Sequence, residues 1–223
     1  MTKIVAISDM HGKLPKPKDM PTGDILLIAG DITPSFDHSI EFQKIWLDSA
    51  FRYWLNQLPY KHIIGVYGNH DFVGEQNPYG VEKLNLPCKF LTDEEITVEG
   101  LRIYGTPHQP YFFGWAFNLY EPELKEKWDL IPQGIDILVS HGPPEGYGDL
   151  AEDHETPGNI IHVGSPSLTL KIEEIKPKLV VYGHIHSSYG EYVNPNCPNT
   201  ILANVSYVNE KYNPAYDPMT FEL

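Results

Sequence analysis

Five short segments carry side chains able to hold metal ions: Asp9-Met10-His11, Gly30-Asp31, Gly68-Asn69-His70-Asp71, His141-Gly142 and Gly183-His184-Ile185-His186. Taken singly, each has an ordinary explanation. Gly-Asp is a common turn, and Asn-His can be a loop closed by its own side-chain hydrogen bonds. Gly-His-x-His says more, because alternate residues of an extended segment point the same way and so pair two imidazoles. The set says most. Every segment offers imidazole, carboxylate or amide oxygen, and none offers thiolate. That donor mixture suits first-row divalent metals better than calcium.

What must position them is a sheet. Each segment follows a short run rich in Ile, Val and Leu: Lys3–Ser8, Asp24–Ala29, His62–Tyr67, Asp136–Ser140 and Lys178–Tyr182. Continuous apolar runs of this length read as strands buried on both faces. Side chains just past the carboxyl ends of such strands share one crevice, where open α/β sheets bind their ligands. Between the second and third runs, Asp37–Leu58 has helical spacing of Phe42, Ile45, Trp46, Ala50, Tyr53 and Trp54, with Asp37 as N-cap. Ser165-Pro166 opens a second helix, and Lys176-Pro177 closes it. Glu99-Gly100 turns a hairpin between Ile96 and Tyr104, and Gly190–Val193 and Ile201–Val205 are further strands.

The motif series, in this order, resembles the calcineurin-like metallophosphoesterase superfamily over nearly the whole chain. Within it the sequence is similar to the MPPED-type branch, related to class III cyclic-nucleotide phosphodiesterases. The segments Gly105-Thr106-Pro107-His108-Gln109-Pro110, Gly114-Trp115-Ala116-Phe117-Asn118, Ser140-His141-Gly142-Pro143-Pro144, His162-Val163-Gly164 and Lys176-Pro177-Lys178 carry that closer likeness. The resemblance implies one domain over residues 1–223, a four-layer α/β/β/α sandwich of two mixed sheets flanked by helices. It also implies two metal ions: manganese, iron or zinc, with magnesium, cobalt or nickel as alternatives. Asp9, His11, Asp31 and His186 would hold one ion. Asp31, Asn69, His141 and His184 would hold the other, Asp31 bridging at the roughly 3.5–4 Å of two-metal sites. By the same resemblance the chain hydrolyses a phosphate ester with metal-bound hydroxide, His70 protonating the leaving oxygen; Asp71 beside it either holds the His70 ring or caps a helix or turn. No ligand motif is missing, which argues against a non-catalytic scaffold of this fold.

Composition narrows the substrate. Of 223 residues, 16 are basic and 30 acidic, for a net charge of −14. A nucleic-acid polymer or anionic membrane is attracted by clustered Lys and Arg, so neither is an expected partner. A small phosphodiester or cyclic nucleotide is, because two divalent ions outweigh Asp9 and Asp31 locally and distant charge is screened. A phosphomonoesterase, protein phosphatase or nuclease of the same fold is the alternative. Cys88 and Cys197 have no metal or redox spacing and read as reduced thiols, which with no signal peptide or apolar span of ~20 residues suggests the cytoplasm. Around the site, Tyr111–Phe117 is aromatic, a lid or a stacking platform in which Trp115 could contact substrate. Glu145–Glu155 reads as a long acidic loop, with His154 and His162 as further candidate contacts. The number of subunits has no signature in the sequence.

Overall fold

Apolar runs buried on both faces need layers on both sides, and the chain supplies them. A computed structural model describes residues 1–223. Strands β1 (Lys3–Ile7), β2 (Ile25–Ala29), β3 (His62–Val66) and the short β4 (Lys89–Phe90) run parallel in one sheet. The second sheet is built on β5 (Glu94–Val98) and β6 (Leu101–Thr106), the predicted hairpin about Glu99-Gly100. Short pairs follow: β7 (Gln109–Pro110) with β8 (Asn118–Leu119), and, after the buried β9 (Ile137–Ser140), β10 (Leu150–Glu152) with β11 (Ile160–His162). Strands β12 (Leu179–Tyr182), β13 (Gly190–Tyr192) and β14 (Ile201–Asn204) complete the second sheet, and β15 (Met219–Glu222) returns antiparallel to β1. The orders are β15-β1-β2-β3-β4 and β13-β14-β12-β9-β6-β5, both mixed.

Alternation along each strand divides the core. Ile4, Ala6, Ile25, Leu27 and Ala29 face Ile137, Val139, Leu179 and Val181 of the other sheet. Their neighbours Val5, Ile7, Leu26 and Ile28 pack outward with Leu47, Phe51 and Trp54. Leu138, Val180 and Tyr182 pack outward with Leu124, Trp128, Leu168 and Ile172. The outer layers are helical: α1 (Ile40–Trp46), a π turn at Leu47–Phe51, α2 (Arg52–Leu55), α3 (Phe72–Gln76) and α4 (Pro78–Glu82) on one side, α5 (Glu121–Asp129) and α6 (Pro166–Ile175) on the other. The expected four-layer sandwich of two mixed sheets flanked by helices is therefore observed.

Two local readings change. The first helix starts after Ser39, whose side chain makes no capping hydrogen bond, while Asp37 accepts from Ser39 N–H at 2.9 Å and shapes the turn before it. Its buried residues are Gln43, Leu47, Phe51, Trp54 and Leu55, whereas Ile45 and Tyr53 are 56% and 72% exposed. The π turn alters the 3.6-residue phase, so a regular helical wheel selects the wrong stripe. The acidic segment is no structureless loop either, since it forms β10 and pairs Leu150–Glu152 with Ile160–His162. Ser165 caps α6 as expected, its hydroxyl accepting from Leu168 N–H, and Lys176 ends the helix in a left-handed conformation.

Candidate dinuclear metal centre

Strand ends bring the candidate ligands together, and the backbone bends hard to do so. Asp9, His11, Asp31 and His184 all have positive φ, at 54°, 44°, 50° and 69°. Non-glycine residues are uncommon in this region, Asp and His less so than most, and such conformations gather at functional sites. Two glycines permit the close approach. A Cβ on Gly68 would collide with Asp31, and one on Gly183 would collide with Asp9 and Ser8.

The polar atoms converge in two groups. His11 Nε2 lies 3.2 Å from His186 Nε2 and 3.5 Å from Asp31 Oδ2, and His186 Nε2 is 3.7 Å from Asp9 Oδ1. In the second group Asn69 Oδ1 is 2.8 Å from His141 Nε2 and 2.9 Å from His184 Nδ1, while Asp31 Oδ2 is 3.6 Å from His141 Nε2. Asp31 is common to both. Ligand atoms of Asp9, His11 and His186 lie within 4.8 Å of one another, as do those of Asp9, Asp31 and His141.

These residues fit metal ions on their own physical terms. Asp9 and Asp31 are 0% and 2% exposed, and their ion-pair partners are histidines rather than Lys or Arg. Buried carboxylates without a fixed cation are costly, and a bound cation removes that cost. Burial and the surrounding imidazoles hold His11 and His184 well below the usual histidine range, so both rings are neutral, as ligands must be. His11 Nδ1 is buried without a hydrogen-bond partner. His141 donates Nδ1–H to Ala29 O at 2.9 Å, which leaves its Nε2 lone pair for an ion. Asp9 is steadied by His184 N–H and by the Ser206 hydroxyl, at 3.0 and 2.7 Å.

His70 stands at the rim, 7% exposed, with its ring 4.8 Å from that of His11. Its backbone N–H donates to Asp31 Oδ1 at 2.8 Å, and its carbonyl accepts from Gln43 Nε2 of α1 at 2.6 Å. Burial and the neighbouring His38 push the ring down to about 4. The His70 ring also lies within reach of an ion shared with His11 and Asp31.

Asp71 takes the turn-closing role of its two expected ones and does not hold the His70 ring. Its carboxylate accepts from Ile32 N–H, Thr33 N–H, the Thr33 hydroxyl and Gly68 N–H, at 2.8–3.2 Å. It therefore ties the second and third strand-end loops together. The partner of His70 is His38, whose Nε2 lies 3.0 Å from His70 Nδ1. Of the suggested substrate contacts, Trp115 packs over His70, with ring centroids 4.2 Å apart. His154 instead packs on Phe112 and Phe113, and His162 Nδ1 bonds Asp149 at 2.8 Å, both in the β10–β11 region. Sequence reasoning missed His38 and also Tyr212, whose ring lies 4.7 Å from His11. Neither belongs to a motif. A cavity of about 850 Å³ lies elsewhere, along β3, β4 and β5, and none of the seven candidate metal ligands lines it.

Comparison with known proteins agrees with this geometry. The calcineurin-like phosphoesterase profile matches residues 2–188. Metallophosphoesterase domain-containing protein 1 from Homo sapiens is 36% identical over 247 residues, covering 100% of this chain and 71% of that protein. An uncharacterized protein from Methanocaldococcus jannaschii is 32% identical, covering 83% of this chain and 81% of its own length. Among solved structures, a dimetal phosphatase from Danio rerio superposes with a TM-score of 0.54 at 11% identity, over 98% of this chain and 91% of that one. At that identity the likeness concerns the fold. Profile and full-length relative together establish that the chain belongs to the calcineurin-like phosphoesterase family, metal-dependent hydrolases of phosphoric esters.

Proposed function

We propose that the chain is a dinuclear-metal phosphodiesterase acting on small phosphodiesters, cyclic nucleotides included. The observation that carries this reading is the convergence of Asp9, His11, Asp31, Asn69, His141, His184 and His186 around two carboxylates with no Lys or Arg partner. Asp9, His11, Asp31 and His186 would hold one ion and Asp31, Asn69, His141 and His184 the other. Manganese, iron or zinc best suits this mixture of imidazole and oxygen donors. Bound there, the ions supply Lewis acidity and a nucleophile at neutral pH.

The chain's own groups do the rest. His70 would protonate the leaving oxygen as imidazolium: His38 Nε2, 3.0 Å from His70 Nδ1, can accept the Nδ1–H, which aims the Nε2–H at the leaving oxygen and leaves a neutral ring after transfer. Such a proton transfer contributes roughly 10²–10⁴-fold. Asp71 fixes the loops that carry Asp31 and Asn69. Burial of Asp9 and His141 keeps bulk water from the inner side of the cluster. A polynucleotide is a poor fit to a chain of net charge −14. Cys88 and Cys197 are unpaired, in keeping with a reducing compartment such as the cytoplasm, and no helix is long and apolar enough to cross a membrane. The test is hydrolysis by the metal-loaded chain of bis-p-nitrophenyl phosphate, 2′,3′- and 3′,5′-cyclic nucleotides, nucleoside monophosphates and single-stranded DNA. Diesters should be cleaved in preference to monoesters and DNA. Faster turnover of monoesters or DNA contradicts the proposal.

A further inference from the structure

Tyr212 reaches the centre from a segment with no metal-capable motif. It lies in the loop between β14 and β15, and its ring packs edge-on against His11 at 4.7 Å and His186 at 5.3 Å. It also comes within 6.3 Å of His70. With 37% of the residue exposed, the ring covers two imidazoles of one ion's ligand set while still meeting solvent.

The loop holds this ring in place against backbone preference. Tyr212 has a φ of 57°, where an aromatic residue is uncommon and glycine or asparagine would be less strained. The conformation is secured several times over. Tyr212 N–H donates to Asn209 O at 2.7 Å, and Asn209 N–H donates to Asn213 O at 2.9 Å. Asn209 Oδ1 accepts from the N–H groups of Lys211 and Asn213, and Val208 bridges to Pro214. Glu210 Oε1 accepts from Ser187 N–H at 2.9 Å, which braces the loop on the residue after His186. The turn alone does not call for tyrosine. What the ring touches does.

Trp115 meets the centre from another loop. Its ring lies 4.2 Å from His70 at 35°, backed by His38 at 5.2 Å and Phe72 at 6.1 Å. Two aromatic rings from distant parts of the chain thus flank the His11 and His70 imidazoles. An acidic chain whose buried carboxylates lack Lys or Arg partners is poorly supplied with charge for grasping the rest of a substrate. Stacking surface is what it offers instead.

We propose that Tyr212 and Trp115 form the aromatic walls of a substrate subsite that takes a flat ring carried on the phosphate, and that Tyr212 determines this specificity. The proposal rests on the phosphoester-hydrolase reading above. Phenylphosphonate and methylphosphonate serve as probes, titrated by calorimetry into the metal-loaded chain, with bound metal measured on each preparation. The parent protein should prefer phenylphosphonate. Tyr212→Ala should narrow that preference by about three- to tenfold, the scale of one aromatic pair. Tyr212→Leu, which keeps apolar bulk without an aromatic face, should do the same, Tyr212→Phe should retain the preference, and Trp115→Ala should narrow it. All four variants should keep the parent's metal content. An undiminished preference in Tyr212→Ala and Tyr212→Leu, or equal weakening of both probes, overturns the proposal. Ester hydrolysis by the parent separates the two levels: an inactive, fully loaded parent defeats the phosphoester reading itself, whereas an active parent with unchanged preference in the Tyr212 variants defeats only this subsite.

Discussion

Replacing Asp71 by asparagine tests whether that carboxylate holds loops or drives a proton. Asp71 is 1% exposed, and the Oδ1 side accepts from Thr33 N–H at 2.9 Å, the Thr33 hydroxyl at 2.8 Å and Ile32 N–H at 3.1 Å. The Oδ2 side accepts from Gly68 N–H at 2.8 Å and Ile32 N–H at 3.2 Å. An asparagine can keep one of these sides but must turn an NH₂ toward donors on the other. One buried donor is then unsatisfied, at about 1–3 kcal/mol, part of it offset because no charge is buried. Asp71→Ala strands the three backbone donors, while the Thr33 hydroxyl keeps His70 O at 3.3 Å, and at about 1–3 kcal/mol per unsatisfied group it should lose more than Asp71→Asn. Urea unfolding of the metal-free protein reads both values. Because Gly68 packs on Asp31 and His70 N–H donates to it, the loosened turn should also weaken metal binding. With ions saturating, residual rate defects should be equal for p-nitrophenyl and alkyl diesters. Full stability of Asp71→Asn, with a defect that disappears on p-nitrophenyl esters, would instead make Asp71 the group acting on His70.

Neighbouring residues of the same loop should separate. Asn69→Ala should lower metal content, whereas His70→Ala should keep two ions per chain and lose roughly 10²–10⁴-fold on alkyl diesters and far less on p-nitrophenyl esters; equal losses on both, or loss of an ion from His70→Ala, would contradict this. His38→Ala should lower turnover about tenfold, with the same leaving-group dependence as His70→Ala but smaller, and His38→Asn, whose amide oxygen can still accept the His70 Nδ1–H, should recover part of it. A fourth expectation concerns acid stability. Burial alone would raise Asp93, but hydrogen bonds from His108, Lys127 and Thr106 bring it down to about 2 from an ordinary 3.8. A depressed carboxylate stabilises the fold fully above its unfolded value, and this contribution fades as pH falls from about 4 toward 2. Unfolding midpoints across that window should drop more steeply for the parent than for Asp93→Asn, and parallel curves would rule the contribution out.

The features legible in the sequence were those with a short physical period. Strands such as Ile25–Ala29 and Leu179–Tyr182 announce themselves because both faces are buried, and the residues just beyond them must share the sheet's carboxyl edge. The short β10–β11 pair was hidden by its exposed, irregular residues. The buried stripe of the first helix was hidden by a π turn, which no fixed period describes. Asp71 misled through adjacency. In the Gly68–Asp71 turn, consecutive side chains diverge, so the carboxylate beside His70 faces Thr33 while a histidine thirty-two residues away meets the ring. Tyr212 was out of reach for a similar reason. Only the fold carries the Asn209–Asn213 turn back over His11, and an isolated tyrosine among asparagines and prolines signals nothing locally beyond a loop.

The proposed dinuclear centre depends on one buried carboxylate, Asp31, which lies 3.5 Å from His11 Nε2 and 3.6 Å from His141 Nε2 and would serve both ions. Elemental analysis of the purified chain and of Asp31→Ala, on samples shown by circular dichroism to be folded, reads this sharing. Two ions per chain in the parent and fewer than two in Asp31→Ala, with hydrolysis abolished, is the predicted result. Two ions retained by Asp31→Ala would contradict it.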